Sequence, residues 1–215
     1  LAGDVGFLPT ASFCGRLRGD FLNMTALLCG SRFGRGFVRP GGTGFDVDAA
    51  ILADLRQRLD GTFRDTGGAA DLLWETPSVM ARFENTGTLS AATAVELGLV
   101  GPAARACGRE IDARRDFPSG IYRFAQLPVS SLASGDVFAR AYVRWLEIRR
   151  SVEFIRDQIA ALPGGPVRAV CGPLAPDAAV VSIHEGWRGE MVHVAELDAV
   201  LNFARYKVTD ISFHN

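Results

Sequence analysis

The segment GDVFARAYVRWLEIRRSVEFIRDQIAAL, residues 135–162, carries the strongest fold signal in the chain. Its apolar residues recur at alternating spacings of three and four, the pattern of a long amphipathic helix. They are Phe138, Ala141, Trp145, Ile148, Val152, Ile155, Ile159 and Leu162. Ser134 or Asp136 is expected to cap the start of the helix. The helix is expected to end at the Pro-Gly-Gly-Pro sequence of residues 163–166. A helix of this size is about 40 Å long, so other helices must pack along it.

The charged residues of the same segment are predicted to form a solvent-facing side of this helix. They are Arg140, Arg144, Glu147, Arg149, Arg150, Glu153, Arg156 and Asp157. Two earlier helices are predicted, one from about Leu8 to Leu28 and one from Asp46 or Asp48 through Phe63. The Gly67–Gly68 pair is expected to bend or break the second one.

Short helices are predicted after Pro77 and Ser90, and an irregular charged crossing follows through residue 118. Beyond residue 176 the apolar period changes to two, which is typical of strands. A hairpin around residues 186–189 would place Glu185 opposite Glu190 and Ser182 opposite His193, with residues 203–208 as a third strand.

These patterns predict an α+β fold that is mainly α: a long-helix bundle with a small antiparallel β-sheet near the C-terminus. We expect a single domain over residues 1–215, helical over residues 1–165, with the β portion at about residues 178–210.

Composition argues against several functional classes. With 23 basic and 24 acidic residues, the chain lacks the positive charge of a nucleic-acid binder. No apolar run is long enough to span a membrane, and no signal peptide is visible. The four cysteines are widely spaced and form no C-x-x-C pair, so free thiols in an intracellular protein are expected, with no metal site.

Local motifs for catalysis are sparse. Ser182 opposite His193 has no evident orienting carboxylate, although Glu185 is near, so hydrolytic chemistry is disfavoured. Residues 31–44 contain five glycines and a proline, which favours a tight turn. Such glycines also let a backbone approach a cofactor or a neighbouring chain closely, but the spacing does not match a phosphate-binding loop.

Six short motifs nevertheless occur in a fixed order. They are RPGG (39–42), RFENTGTL (82–89), LVGPAARACG (99–108), RRDFP (114–118), GDVFAR (135–140) and WRGE (187–190). The series resembles the large subunit of membrane-bound group 4 nickel–iron (NiFe) hydrogenases of the formate hydrogenlyase type. It equally resembles the homologous 49-kilodalton chain of respiratory complex I.

This resemblance implies an oxidoreductase, and this chain would be the central portion of its large subunit. The family's hydrogenases hold a NiFe centre with two C-x-x-C pairs, which this chain lacks, so no cofactor is expected on it alone. A complex I type protein would act on quinone instead, in an NAD-linked complex. The implied partners are a small subunit that carries an iron–sulfur cluster and other subunits of a membrane-associated complex. The implied location of this chain is the peripheral arm of that complex, in the cytoplasm. The alternative is a metal-free helical scaffold that binds redox subunits without catalysis.

The resemblance also implies site residues. Arg188 matches an arginine that overhangs the active centre in family hydrogenases, although Gly186–Trp187 replaces the usual Ala-Pro before it. Glu185 and His193 would supply proton-transfer groups. The alternative for Arg188 is a solvated hairpin tip. Weaker expectations are cofactor binding by Arg39, Gly41, Gly42 and Arg82, and an apolar surface that faces a partner chain at Phe33, Phe37 and Val38.

Overall fold

The computed structural model describes residues 1–213, and these contain both helices and strands. The α-helices are α1 (Leu8–Cys29), α2 (Ala49–Trp74), α3 (Pro77–Phe83), α4 (Ala91–Glu96), α5 (Gly101–Arg105), α6 (Ala113–Asp116) and α7 (Val137–Ala160). The strands are β1 (Val38–Arg39), β2 (Gly42–Thr43), β3 (Ala179–Gly186), β4 (Gly189–Leu197) and β5 (Phe203–Thr209). Short 3₁₀ helices lie at Gly120–Arg123 and Ile211–Phe213. The predicted α+β class, mainly α with a small C-terminal sheet, is confirmed.

The chain divides into two compact units. The first contains residues 1–81 and 151–172, and the second contains residues 82–150 and 173–215. Helix α7 contributes to both, since the division falls between Arg150 and Ser151. The expected single domain stays a prediction. Within residues 1–213, no helix combines the length and apolarity that crossing a bilayer requires.

In the first unit, α1 packs against α2. Met24 of α1, Leu55 and Leu59 of α2, and Val152 of α7 form its buried apolar cluster. The Asp48 carboxylate caps α2 by accepting from the backbone N–H of Ile51 over 2.8 Å. The predicted break at residues 67–68 is wrong, because α2 continues to Trp74. Packing against α1 therefore outweighs the low helix propensity of two adjacent glycines.

In the second unit, small residues allow close packing around α7. Ala106 packs with Ala139 and Val143 of α7, and all three are completely buried. The Asp136 carboxylate caps α7, as predicted, by accepting from the backbone N–H of Ala139 over 2.8 Å. The predicted solvent-facing side is wrong at Glu147, which is only 6% exposed. The crossing after residue 100 is also more regular than predicted, since it contains α5 and α6.

The sheet has the predicted antiparallel hairpin and third strand, in the order β3-β4-β5. Glu185 pairs with Glu190, Ile183 with Val192, and Ser182 with His193, so the predicted register is confirmed. Since side chains alternate along a strand, Glu185 and His193 lie on opposite faces of the sheet. In the first unit, Phe33 and Val38 are strongly exposed, whereas Phe37 is half-buried.

Candidate functional site

Five charged side chains from four elements form a buried ion cluster in the second unit. They are Arg105 at the end of α5, Asp112 at the start of α6, Arg114 of α6, Glu147 of α7 and Glu185 of β3. The Arg105 side chain is 1% exposed, and the other four are at most 13% exposed. Charged side chains are rarely buried so deeply unless they are paired.

Arg105 is the centre of the ion cluster. Its Nη1 donates to Oε1 of Glu185 over 2.8 Å and to the carbonyl of Ile111 over 3.0 Å. The same nitrogen lies 3.3 Å from Oδ2 of Asp112, and Nη2 lies 3.6 Å from Oε1 of Glu147. One guanidinium therefore connects three carboxylates from three different parts of the chain.

Arg114 completes the network on its other side. Its Nε and Nη2 donate to the two carboxylate oxygens of Asp112 over 2.9 and 2.6 Å, a bidentate pair. Nη2 also donates to Oε2 of Glu147 over 2.8 Å. Burial disfavours the charge of Arg114, but these hydrogen bonds outweigh it and raise the pKa of its guanidinium. Burial likewise acts to raise the pKa of Asp112, and the bonds from Arg114 reverse this and lower it.

Glu185 differs electrostatically from Asp112. Its Oε1 accepts from Arg105, and its Oε2 accepts from the backbone N–H of Ala113 over 3.0 Å. Burial nevertheless dominates and raises the pKa of Glu185, with a smaller contribution of the same sign from the Asp112 charge. The cluster therefore combines one strongly ionised carboxylate with one that retains its proton to higher pH.

The hairpin turn is held close to α5 by Gly101. This glycine has a φ of +62°, and a Cβ added to it would lie 2.4 Å from Cα of Gly189 and 2.5 Å from the carbonyl oxygen of Arg188. Only a residue without a side chain permits this approach. The contact brings the hairpin turn close to α5, the helix that ends at Arg105.

The three residues predicted for catalysis are not brought together. Glu185 belongs to the ion cluster, whereas Arg188 lies exposed at the two-residue hairpin tip. His193 lies on the opposite face of the sheet, where its Nδ1 is 2.8 Å from the hydroxyl of Tyr206. Ser182 is hydrogen-bonded to His184 over 2.7 Å, not to His193. The catalytic roles of Glu185, Arg188 and His193 stay predictions.

The residues predicted for cofactor binding lie in different units. Gly41 and Gly42 are in the first unit, where Cβ atoms added to them would each lie 2.2 Å from a backbone carbonyl, of Ala169 and Val167 respectively. These glycines thus allow close packing of the chain on itself. Arg39 lies beside them, with its Nε donating to Gly36 over 3.1 Å. Arg82 is exposed at the end of α3, in the second unit.

Sequence reasoning did not select Arg105, Asp112, Arg114 or Glu147 as site residues. Two signals were present: Arg105 and Arg114 lie inside two of the six ordered motifs, and Glu147 is flanked in sequence by the apolar residues Leu146 and Ile148. All four cysteines are free, Cys29 and Cys107 being buried and Cys14 and Cys171 exposed. In the part of the chain that the structure describes, no three His, Cys, Asp or Glu side chains are placed to hold a metal ion.

A model of the 49-kilodalton subunit of the respiratory-chain NADH dehydrogenase matches residues 4–172. The chain belongs to this family. The match to the 49-kilodalton family includes four of the five residues of the ion cluster, and Glu185 lies beyond it. The recognition made from the six motifs is thereby confirmed.

Curated relatives of the 49-kilodalton family include both a hydrogenase and quinone oxidoreductase subunits. The carbon monoxide-induced hydrogenase of Rhodospirillum rubrum is 33% identical over 168 residues, which are 76% of this chain and 46% of that protein. An NADH-quinone oxidoreductase subunit of Desulforamulus reducens is 29% identical over 168 residues, 78% of this chain and 46% of that one. An NADH-quinone oxidoreductase subunit of Salinispora tropica is 28% identical over 196 residues, which are 91% of this chain and 44% of that protein. The chain thus spans less than half the length of these relatives.

Proposed function

We propose that this chain forms part of the large subunit of an oxidoreductase complex. The complex transfers electrons in one of two reactions: the interconversion of hydrogen and protons, or the reduction of quinone. The observation that carries the proposal is the family match over residues 4–172. The two relatives named first, a hydrogenase and a quinone oxidoreductase subunit, match over equally long stretches of 168 residues. Both branches of the family therefore support the same general activity, and they differ in the substrate.

The residues of this chain do not provide the ligands for a NiFe centre. The resemblance associates such a centre with two C-x-x-C pairs, and none occurs in this sequence. We therefore derive no step through a metal. If the complex is a hydrogenase, other parts of its large subunit supply the ligands, and this chain contributes its fold and its charged groups.

We propose further that the partners are an iron–sulfur subunit, which carries the cluster, and other subunits of a membrane-associated complex with its peripheral arm in the cytoplasm. Large exposed apolar side chains in both units support this. Phe33 and Val170 of the first unit are 70% and 100% exposed, and Phe124 of the second is 85% exposed. Apolar side chains exposed to this extent are available for burial against a partner chain.

The test is purification of the native complex through an affinity tag on this chain in its source organism. We expect the complex to catalyse either hydrogen oxidation with an artificial acceptor or NADH-dependent quinone reduction, and deletion of the gene to abolish that activity. Nickel in the purified complex would assign the hydrogenase branch. An intact multi-subunit complex with neither activity would overturn the proposal and favour a scaffold that binds redox subunits without catalysis.

A further inference from the structure

A small acidic cavity lies beside the ion cluster. Its volume is about 70 Å³, enough to hold water. Its walls include four carboxyl-bearing residues, Asp112, Asp116, Glu185 and Glu190. Asp116 is exposed to solvent, so the cavity extends from the buried cluster towards the surface. Glu185 and Glu190 are directly paired across the hairpin, which places two carboxyl groups of like charge on one face of the sheet.

The charges of the ion cluster do not balance when every group is ionised. Three carboxylates face two guanidinium groups, which leaves one buried negative charge in excess. An uncompensated charge is costly to bury, and uptake of one proton removes it. Glu185 is faced by Arg105 of α5 and Asp112 at the start of α6, and it shares the cavity with Asp116 and Glu190. Glu147 and Arg114 are linked to it through Arg105 and Asp112, and Arg144 of α7 is close enough to Arg105 to act on it electrostatically.

The nearby Arg144 takes part in none of the ion pairs of the cluster within residues 1–213. Its Nη1 donates to the carbonyl of Arg140 over 2.6 Å. Burial lowers the pKa of Arg144, and the positive charges of Arg140, Arg188 and Arg105 lower it further. Arg144 thus belongs to a group of like positive charges beside the cluster.

Among the three carboxyl groups, Glu185 is the one best placed to hold a proton. Asp112 accepts two hydrogen bonds from the side chain of Arg114 and one from its backbone N–H, so its charge is firmly held. Glu147 accepts from Arg114 and lies 3.6 Å from Arg105, and within residues 1–213 it is not part of the wall of the acidic cavity, so it has no such route for proton exchange. Glu185 accepts from one guanidinium group, that of Arg105, and from the backbone N–H of Ala113, and it lies on the wall of the acidic cavity, where water can accept its proton.

We propose that the ion cluster is a proton-binding site, in which Glu185 carries one exchangeable proton and the acidic cavity connects it with solvent. On release, the O–H bond of the carboxylic acid breaks and a cavity water becomes hydronium. The Glu185 carboxylate then retains the ion pair with Arg105. The inference does not depend on the proposed redox activity, since it rests on groups within this chain alone.

Infrared titration of the full chain, with isotope-labelled glutamate, tests the proposal. The carbonyl stretch of protonated carboxyl groups should show one glutamic acid that loses its proton at higher pH than the exposed ones. That band should disappear in Glu185→Gln and persist in Glu153→Gln, a matched change at an exposed position of α7. If all glutamates titrate together in the wild type, the proposal is overturned, whether or not the Glu185 variant folds.

Two further variants test the assignment of the proton. Loss of the band in Glu147→Gln together with its retention in Glu185→Gln would overturn the choice of Glu185. Glu190→Gln removes a negative charge that faces Glu185 across the cavity, so the titration midpoint should shift to lower pH. An unchanged midpoint in that variant would mean that the titrating group does not face Glu190, and it would overturn the assignment of the proton to Glu185.

Discussion

Arg105 and Glu185 are 80 positions apart in the sequence, and their side chains form a 2.8 Å hydrogen bond in the buried interior of the second unit. The bond joins α5 to the first strand of the C-terminal sheet. Because Arg105 also contacts Asp112 and Glu147, its removal affects three carboxylates at once. Folding of the second unit should therefore depend strongly on this one side chain.

Arg105→Met should lower the free energy of unfolding by about 3–5 kcal/mol, because it leaves buried carboxylates without their counter-ion. Urea denaturation monitored by circular dichroism measures this change. Arg205→Met is the matched control, since Arg205 is exposed and its nearest acidic partner, Glu196, lies at 3.9 Å. That variant should change stability by less than about 0.5 kcal/mol. Equal effects of the two substitutions would contradict the central role of Arg105.

Asp136→Ala should remove the cap of α7 and cost about 1–2 kcal/mol. The Asp136 carboxylate also accepts from the backbone N–H of Asn85 over 2.9 Å, which attaches the start of α7 to an earlier turn. Burial acts to raise the pKa of Asp136, but the hydrogen bonds from Ala139, Asn85 and Ser134 outweigh it and lower the pKa.

The sign of the resulting pH dependence follows from this lowered pKa. The contribution of the Asp136 charge is present above the unfolded-state pKa of about 4 and is lost as the pH falls through the folded-state pKa. Asp136→Asn keeps an acceptor for the cap but has no charge, so its unfolding free energy should decline less than that of the wild type on acidification. Parallel stability curves for the two proteins between about pH 2 and pH 6 would disprove the electrostatic contribution.

Gly101→Ala should destabilise the second unit by at least about 1 kcal/mol, because an alanine is strained at positive φ. The clash with the backbone of Gly189 should add to this cost. Gly61→Ala is the control. Gly61 lies inside α2 with open space around its Cα, so alanine there should stabilise by about 0.5–1 kcal/mol. Thermal unfolding distinguishes the two, and a neutral Gly101→Ala variant would mean that the hairpin turn does not require this close approach.

Much of the fold was predictable because local periodicity determines it. The apolar spacing of residues 138–162 predicted α7, and the alternation around Ile183 and Val192 predicted the register of the hairpin. The glycines at positions 67 and 68 misled the prediction, because helix propensity is weaker than the packing of α2 on α1.

The ion cluster was not predictable by the same means. Any local sequence pattern predicts that a charged residue such as Glu147 lies at the surface. Its charge can be buried only when oppositely charged partners surround it, and here those partners are distant in sequence. Those partners come from α5, α6 and β3, and no spacing rule relates them. The separation of Glu185 from His193 did follow from the strand period, since residues 185 and 193 fall on opposite faces once the register is known.

The last prediction concerns Arg188 at the exposed tip of the hairpin. In the complete complex, Arg188→Lys should leave folding and assembly intact and lower turnover at least tenfold, equivalent to about 1.4 kcal/mol of transition-state stabilisation. The reason is that a guanidinium offers a planar pair of donors, which the compact ammonium group of lysine does not reproduce. Folding should be unaffected because the backbone at this position is held by packing of Gly101 against the carbonyl of Arg188, which the substitution does not change.

Hydrogen-linked or quinone-linked turnover, normalised to the amount of assembled complex, is the measurement. Arg205→Lys on β5 provides the control, because it makes the same chemical change at another exposed position of the sheet. A solvated hairpin tip would tolerate Arg188→Lys with a stability change within about 0.5 kcal/mol and no kinetic effect. If turnover is equal in the two variants, Arg188 has no part in the reaction.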